Sequence, residues 1–278
     1  MQAHRRLRSL QPPSVLILCL GIIFAPGYLA GTVFGAGEDD AVFRLPATLE
    51  GEDITFGVGF WLFKNAAHAH MSFKKAEEGY VASFEVQTSG FIGLITRNMK
   101  EVMQSTMRYD PQKRRLQPLS FQETITQGDR IRIKTVTFNY EKRIFTFTQE
   151  GTNKKKIEIT GRLPKKDCDD LLTAFYNLRL GSYGPIKRGR DIPITACVKE
   201  RPSRLLIVVP EQDKKAPERV CRGDYYMMLS MEKDLTNIAS KKVSGWFDKD
   251  LVPLCGIIED AYFFGDIQVI QKERQIAK

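Results

Sequence analysis

Two histidines at alternate positions are the residues of this sequence whose types and spacing come closest to known chemistry. His68 and His70 flank Ala69. Residues two apart on a β-strand point to the same side, so both imidazoles would lie on one face of a sheet. A zinc site needs one or two further ligands, and the one remaining histidine is His4. The favoured interpretation is a solvent-facing strand, with a metal site as the alternative.

Other signatures of catalysis are missing from the sequence. No serine occupies a G-x-S-x-G elbow, and the glycines at 181 and 184 lack the lysine-serine ending of a phosphate-binding loop. Asp169 and Asp170 have the chemistry of an acid and a base, but carboxylates at a helix start are better explained by capping. The sequence therefore predicts no catalytic residues, no cofactor and no enzymatic activity.

The elements that must position these side chains are mostly strands. Apolar residues alternate over 54–60, 80–86 and 192–198, which is typical of strands with one buried face. Turn signals such as Glu150-Gly151 separate these stretches. Many strands joined by short turns predict a meandering antiparallel sheet, which hides its edges and apolar face by curling. We therefore predict an all-β fold, a curved antiparallel sheet forming an open or closed barrel.

Within one strand-like stretch, the apolar residues shift from odd-numbered to even-numbered positions. Ile131 and Ile133 share one parity, whereas Val136 and Phe138 share the other. A β-bulge near 134–135 would absorb this change and bend the sheet. The sequence therefore predicts a bulge at that point.

One segment has helical spacing. An apolar stripe, formed by Leu171, Leu172, Phe175 and Leu178, predicts a short amphipathic helix over about 167–179. Asp167 is the expected N-cap, and Gly181 is expected to end the helix. Such a helix would plug one mouth of the barrel or cover one face of the sheet.

Aromatic residues of the strands and helix would fill the interior of the barrel. The favoured interpretation is a packed core, and the alternative is an apolar cavity that holds an acyl chain or a similar ligand. For Arg179, an ion pair with a buried carboxylate is favoured over a clamp for an anionic headgroup. Under the cavity alternative, the candidate ligand-binding residues are Phe60, Phe84, Phe138, Phe175 and Arg179.

The first forty residues have the order of an export signal. A basic head precedes an apolar run over 15–29, and small residues then lead to an acidic stretch. We expect a cleaved signal peptide over 1–37, with an uncleaved inner-membrane anchor over 15–34 as the alternative. A flexible segment over 38–51 and a single barrel-like domain over 52–275 would follow, in the periplasm or outer envelope.

Cysteine content and charge agree with export. Four cysteines would remain after cleavage, namely Cys168, Cys197, Cys221 and Cys255. Exported proteins form disulfides, but the spacing does not decide the pairing, and free buried thiols stay open as an alternative. The net charge of +9 suits contact with anionic envelope surfaces and is too scattered to indicate nucleic-acid binding.

Three stretches resemble the bacterial family called domain of unknown function 3108. Residues 170–179 resemble its helical signature, 109–121 its middle and 245–269 its closing hairpin. The resemblance covers about 52–272 and implies an exported antiparallel β-barrel-like domain with no assigned reaction. A looser resemblance to periplasmic lipoprotein-carrier half-barrels implies, by analogy of fold, a hydrophobic ligand.

These features together predict an exported cell-envelope protein that is not an enzyme and binds a hydrophobic or lipid-like ligand in its curved sheet. The first alternative is a structural or assembly protein of the envelope with a filled core. The second is a metal-dependent hydrolase that uses His68 and His70. Expected partners are a lipid or hydrophobic small molecule and envelope proteins, without nucleic acid, and the N-terminal segment would engage the membrane during export.

Overall fold

The structure is a computed structural model and describes residues 43–60, 63–165, 167–212, 223–231, 242–259 and 266–277. The predicted signal segment over 1–37 lies outside these residues. Within them, no helix has the length and apolar character needed to cross a membrane.

Strands make up most of the described chain. They are Glu52–Phe60 (β1), Phe63–Ala76 (β2), Gly79–Thr88 (β3), Lys100–Asp110 (β4), Arg115–Gln127 (β5), Arg130–Asn139 (β6), Ile144–Gly151 (β7), Lys154–Arg162 (β8), Arg190–Ala196 (β9), Ser203–Val209 (β10), Tyr225–Met231 (β11), Lys242–Phe247 (β12), Pro253–Glu259 (β13) and Ile267–Ile276 (β14). The helices are Gly90–Ile95 (α1) and Leu171–Arg179 (α2), with a 3-10 turn at Pro46–Leu49 inside the segment predicted to be flexible. The sequence pattern did not predict α1.

The described strands form one antiparallel sheet that curls without closing, which confirms the predicted fold class. Its order is β8-β7-β6-β5-β4-β3-β2-β1-β14-β13-β12-β11-β10-β9. Consecutive strands pair with each other except β8 and β9, which are the two edges, and β1 also pairs with β14. One core cluster includes Phe84 of β3, Phe147 of β7 and Ile207 of β10. The inner faces of distant strands therefore meet, as a curled sheet requires.

Helix α2 lies inside the curl and is buried on every side beyond its first residue. Its N-cap is Asp170, whose side chain accepts hydrogen bonds from the backbone N–H groups of Leu172 at 2.9 Å and Thr173 at 3.0 Å. The predicted N-cap, Asp167, is wrong, because its carboxylate instead pairs with Lys113 at 2.6 Å and Arg115 at 2.8 Å. The chain leaves α2 through Gly181, whose φ of 78° suits glycine.

Polar side chains of α2 bind the inner face of the sheet. Asn177 donates to the carbonyl of Leu116 at 2.9 Å and accepts from its N–H at 2.8 Å, so its amide pairs with β5 as a neighbouring strand would. Ser105 of β4 donates to Asp170 at 2.6 Å. Arg115 and Tyr183 both donate to the buried carboxylate of Asp169. These bonds explain Asp169 and Asp170 as structural groups.

The C-terminal end of α2 is held by a buried ion pair. Both terminal nitrogens of Arg179 donate to Glu52 of β1, one of them at 2.8 Å, and both side chains are fully buried. Arg274 of β14 donates to the same carboxylate at 3.0 Å. Burial alone would raise the pKa of Glu52, but the two guanidinium groups lower it. Arg179 therefore forms the structural ion pair that the sequence favoured.

A disulfide holds the N-terminal side of α2. Cys168 bonds to Cys197, which follows β9, across a sequence separation of 29. Beside it, the N–H of Asp169 donates to the carbonyl of Thr195 at 3.0 Å, and the N–H of Cys197 donates to the carbonyl of Asp169 at 2.8 Å. Cys255 is also disulfide-bonded. The edge strand β9 is thus fixed to the segment that leads into α2.

Replacing Arg179 with Met should lower the free energy of unfolding by about 3–5 kcal/mol, because the carboxylate of Glu52 would stay buried with only Arg274 beside it. Urea denaturation measures this difference. The control is Lys156→Ala, which removes an exposed ion pair with Glu158 and should change stability by about 0.5 kcal/mol or less. Equal effects of the two substitutions would contradict the assigned role.

Stability should also depend on pH through Asp170. Burial raises the pKa of this carboxyl to about 6 from 3.8, although hydrogen bonds from Ser105 and Thr173 favour its ionised form. Since the pKa is higher in the folded than in the unfolded chain, the contribution of Asp170 to stability is complete below 3.8 and declines as the pH rises through 6.

The stability of the wild type relative to Asp170→Asn should therefore fall between pH 4 and pH 7, since asparagine cannot ionise. Urea denaturation across this pH range measures the difference. The exposed Asp129→Asn serves as the control and should show no such trend. A flat difference for Asp170→Asn would show that the buried carboxyl does not titrate in this range.

Candidate functional site

The inner face of β6 changes from apolar to charged along the strand. Val136 and Phe138 belong to the core, and Lys134 and Arg132 continue the same face at two-residue spacing. The pairing of β6 with both neighbours is continuous, so the predicted bulge near 134–135 is wrong. The apolar phase changes because the inner face becomes charged while isoleucines occupy the outer face.

Charged side chains from three further segments join this face. Glu123 of β5 lies directly across from Lys134 and forms an ion pair with it. Glu101 of β4 is buried beside them and shares a hydrogen bond with Glu123. Lys199, in the loop after β9, interacts electrostatically with Lys134 and Glu123. We call these residues the mouth cluster, and its members are Glu101, Glu123, Arg132, Lys134 and Lys199.

Glu101 and Glu123 are neighbouring buried carboxyls of the mouth cluster, and Glu123 also forms the ion pair with Lys134. Burial alone would raise the pKa of Glu123, but the charge of Lys134 and the interaction with Glu101 hold it below its usual value. The ion pair with Lys134 therefore favours the ionised form of Glu123.

Three cationic side chains, Arg132, Lys134 and Lys199, lie beside the two carboxyls of the mouth cluster. Burial and then the charge of Lys134 lower the pKa of Lys199, and Arg132 acts in the same direction. The carboxylates of Glu200 and Glu123 oppose this shift without cancelling it. The cations therefore lie close enough to repel one another at this end of the inner face.

Beside the mouth cluster, the inner face carries two parallel rows of side chains. Cross-strand pairing defines a first row that is polar except at its β8 end, namely Glu123, Lys134, Gln149 and Ile157. The next row towards α2 is apolar, namely Phe121, Val136, Phe147 and Ile159. Paired residues share one face of a sheet, so the two rows together make an amphiphilic surface.

This amphiphilic surface is accessible at its β8 end. Phe147 is buried, but Ile159 beside it is 40% exposed and Ile157 is 46% exposed. Strand β8 is one of the two edges of the described sheet, so no described strand continues the rows beyond it. A ligand can therefore reach the inner face along this edge.

The ligand-binding residues predicted from the sequence lie deeper. Phe84, Phe138 and Phe175 all belong to the one core cluster, and Phe175 is on α2. Arg179 is the last residue of α2 and forms its ion pair with Glu52 there. Phe60 is the last residue of β1, and its side chain lies outside the described part of the chain. The structure thus places three of the five in the packed core.

The two histidines lie on the outer face of β2. Nε2 of His70 is 2.7 Å from Oδ1 of Asp53, and its cross-strand neighbour Glu85 pairs with Lys100 at 2.6 Å. Across the described ranges, no three histidine, cysteine or carboxylate side chains are grouped so that they could hold a metal ion. The hydrolase alternative is therefore not favoured.

Sequence reasoning missed the mouth cluster although a signal was present. Arg132 and Lys134 continue the parity of Val136 and Phe138, so the phase change marked charged residues on an inward face. A bulge absorbs the same change in parity, so the sequence pattern alone does not distinguish the two arrangements. The partner, Glu123, lies on the preceding strand directly across from Lys134.

Comparison with known proteins found a matching family model and a similar solved structure. A family model described as "Protein of unknown function (DUF3108)" matches residues 53–217. A crystal structure of a beta-barrel-like protein of domain of unknown function DUF1849 from Brucella abortus is similar at a TM-score of 0.48 and 9% sequence identity. That match covers 83% of this chain and 99% of the other. No curated protein matches the sequence.

Replacing Lys134 with Met should destabilise the protein by about 3 kcal/mol at pH 8, because Glu123 would lose its main counter-charge while staying buried. The loss should be smaller at pH 5, where Glu123 can take up a proton and become neutral. Urea denaturation at both pH values measures this. The double variant Lys134→Met with Glu123→Leu should recover most of the stability, and equal losses in single and double variants would contradict the pairing.

Proposed function

The chain belongs to the DUF3108 family of proteins of unknown function, and we propose that it is an exported, non-enzymatic envelope protein that binds an amphiphilic molecule. The ligand lies on the inner face of the curled sheet, on the two rows that end at β8. Its apolar part contacts Phe147 and Ile159, and its polar end lies near Lys134.

The observation that carries this proposal is the exposure of Ile157 and Ile159. Both occupy the inner face by register, yet each remains about half exposed at the free edge of the sheet. Inner-face residues beneath α2, such as Met103 and Met107, are buried almost completely. Apolar surface left uncovered on an inward face is typical of a ligand site, because exposing it to water is unfavourable.

The charge of the mouth cluster supports an anionic polar end. Lys134 and Arg132 both lower the pKa of Lys199, so these three cations lie close enough to repel one another. A carboxylate or phosphate beside these cations would relieve their mutual repulsion. The predicted class of ligand is therefore an acyl chain with a negative headgroup.

Export is supported by the disulfide chemistry. The bond between Cys168 and Cys197 fixes α2 to β9, and such bonds persist in oxidising compartments outside the cytoplasm. The order of the N-terminal residues, basic and then apolar, supports the same location.

A second candidate, an assembly protein with a filled interior, is favoured by the burial of α2. Phe175 and Tyr176 are fully buried and in contact with each other, so α2 fills the part of the curl that it occupies. Such a protein would act through its outer surface and would hold no lipid. The two candidates differ in whether the inner face beside β8 binds an amphiphile.

We expect the purified protein to bind a dansyl-labelled fatty acid, with an increase in probe fluorescence on transfer to an apolar surface. Replacing Ile157 with Glu should weaken this binding by about tenfold or more, because it places a carboxylate on the binding face. Fluorescence titration measures the Kd.

The matched control is Ile131→Glu. Ile131 is also 46% exposed, but it lies on the outer face of β6, so its substitution should leave the Kd within about twofold. No binding by the wild type, or equal weakening in both variants, would contradict the amphiphile site and favour the assembly role.

A further inference from the structure

Helix α1 presents its large apolar side chains to solvent. Phe91, Leu94 and Ile95 are 58%, 74% and 60% exposed, and they are three of the eight exposed large apolar residues of the described chain. Single exposed apolar residues are ordinary, but a cluster within six residues marks an interaction surface. The inner side of the helix is formed instead by the buried Gly93, where an added Cβ would lie 2.9 Å from Oδ1 of Asn98.

Hydrogen bonds hold α1 in this orientation. Ser89 donates to the carbonyl of Asn65 at 2.9 Å, and Thr96 donates to the carbonyl of Ile92 at 2.7 Å. Gln127 of β5 donates to the carbonyl of Thr96 at 3.2 Å. The ring of Phe63 stacks on Phe91 with 5.7 Å between centroids. The exposed side chains are therefore fixed outward before any partner binds, which lowers the entropy cost of binding.

Basic side chains surround this apolar surface. Arg97 follows α1, Lys64 follows Phe63, and Arg130 begins β6 directly after the turn that follows β5; all three are exposed. The turn is joined to α1, because the N–H of Gly128 donates to the carbonyl of Arg97 at 3.0 Å. Asp129 is the exposed carboxylate of the same turn. Exposed apolar side chains can enter the headgroup region of a bilayer, and long cationic side chains beside them can contact anionic lipids.

We propose that α1 docks the protein on a membrane containing anionic phospholipids. Phe91, Leu94 and Ile95 enter the boundary between headgroups and acyl chains, and Lys64, Arg97 and Arg130 contact lipid phosphates. Exposed apolar side chains bordered by lysine and arginine fit the boundary between headgroups and acyl chains of an anionic lipid layer. This docking is independent of the proposed ligand site. Strand β4, which contains Glu101 of the mouth cluster, is the next element after α1 in the chain.

The experiment is vesicle flotation of the full chain with phosphatidylcholine alone and with phosphatidylcholine and phosphatidylglycerol in equal parts. The wild type should float with the anionic vesicles, and added salt should weaken this binding. Leu94→Glu should lower the partition coefficient by about tenfold or more, and Phe91→Ser should act in the same direction. The control Ile276→Glu changes a residue of 47% exposure at the far end of β14 and should have less than about a twofold effect.

Hydrogen-exchange mass spectrometry locates the contact independently of the N-terminal apolar segment. Anionic vesicles should slow amide exchange over 90–96 in the wild type but not in Leu94→Glu. Unchanged exchange there, or equal flotation of Leu94→Glu and Ile276→Glu, would overturn the proposal. Equal binding to neutral and anionic vesicles would overturn the role of the three basic residues, and capture of a protein by α1 without vesicle binding would overturn membrane docking.

Discussion

The fold depends on pairing three polar side chains that one buried helix brings into the interior. Helix α2 carries Thr173, Asn177 and Arg179 into the interior of the sheet, where an unpaired donor or charge is costly. The sheet provides a partner for each of these side chains, such as Glu52 for Arg179 and the backbone of Leu116 for Asn177. These pairings fix the position of the helix along its whole length, and so determine which part of the inner face it covers.

The position of α2 also explains why part of that face stays accessible. The helix lies in sequence between the two free edges of the sheet, β8 and β9, and the disulfide at Cys168 fixes it to the β9 side. The β8 side has no such attachment among the described residues, and its apolar side chains remain exposed. The ion pair between Glu123 and Lys134 lies on β5 and β6, inward of that edge, and both residues are buried.

Much of the architecture followed from the sequence, because period-two alternation and turn residues report strands directly. The helix over 171–179 was predicted from its apolar stripe, but its cap was misassigned because Asp167 and Asp170 carry the same chemistry and tertiary contacts decide between them. The mouth cluster and α1 were not predicted. The first depends on pairing between strands, and the second is a short apolar segment whose orientation is set by contacts with β2 and β5.

The pairing of β1 with β14 joins the beginning and end of the domain at the centre of the sheet. The ion pair between Glu52 and Arg274 spans 222 residues, so the central ladder cannot form until the final strand is present. Contacts of such long range slow folding, since the entropy of closing the chain is lost before they form. A truncated or partly synthesised chain that lacks β14 would therefore leave β1 at the edge of the sheet. That edge is vulnerable to aggregation until β14 has been synthesised.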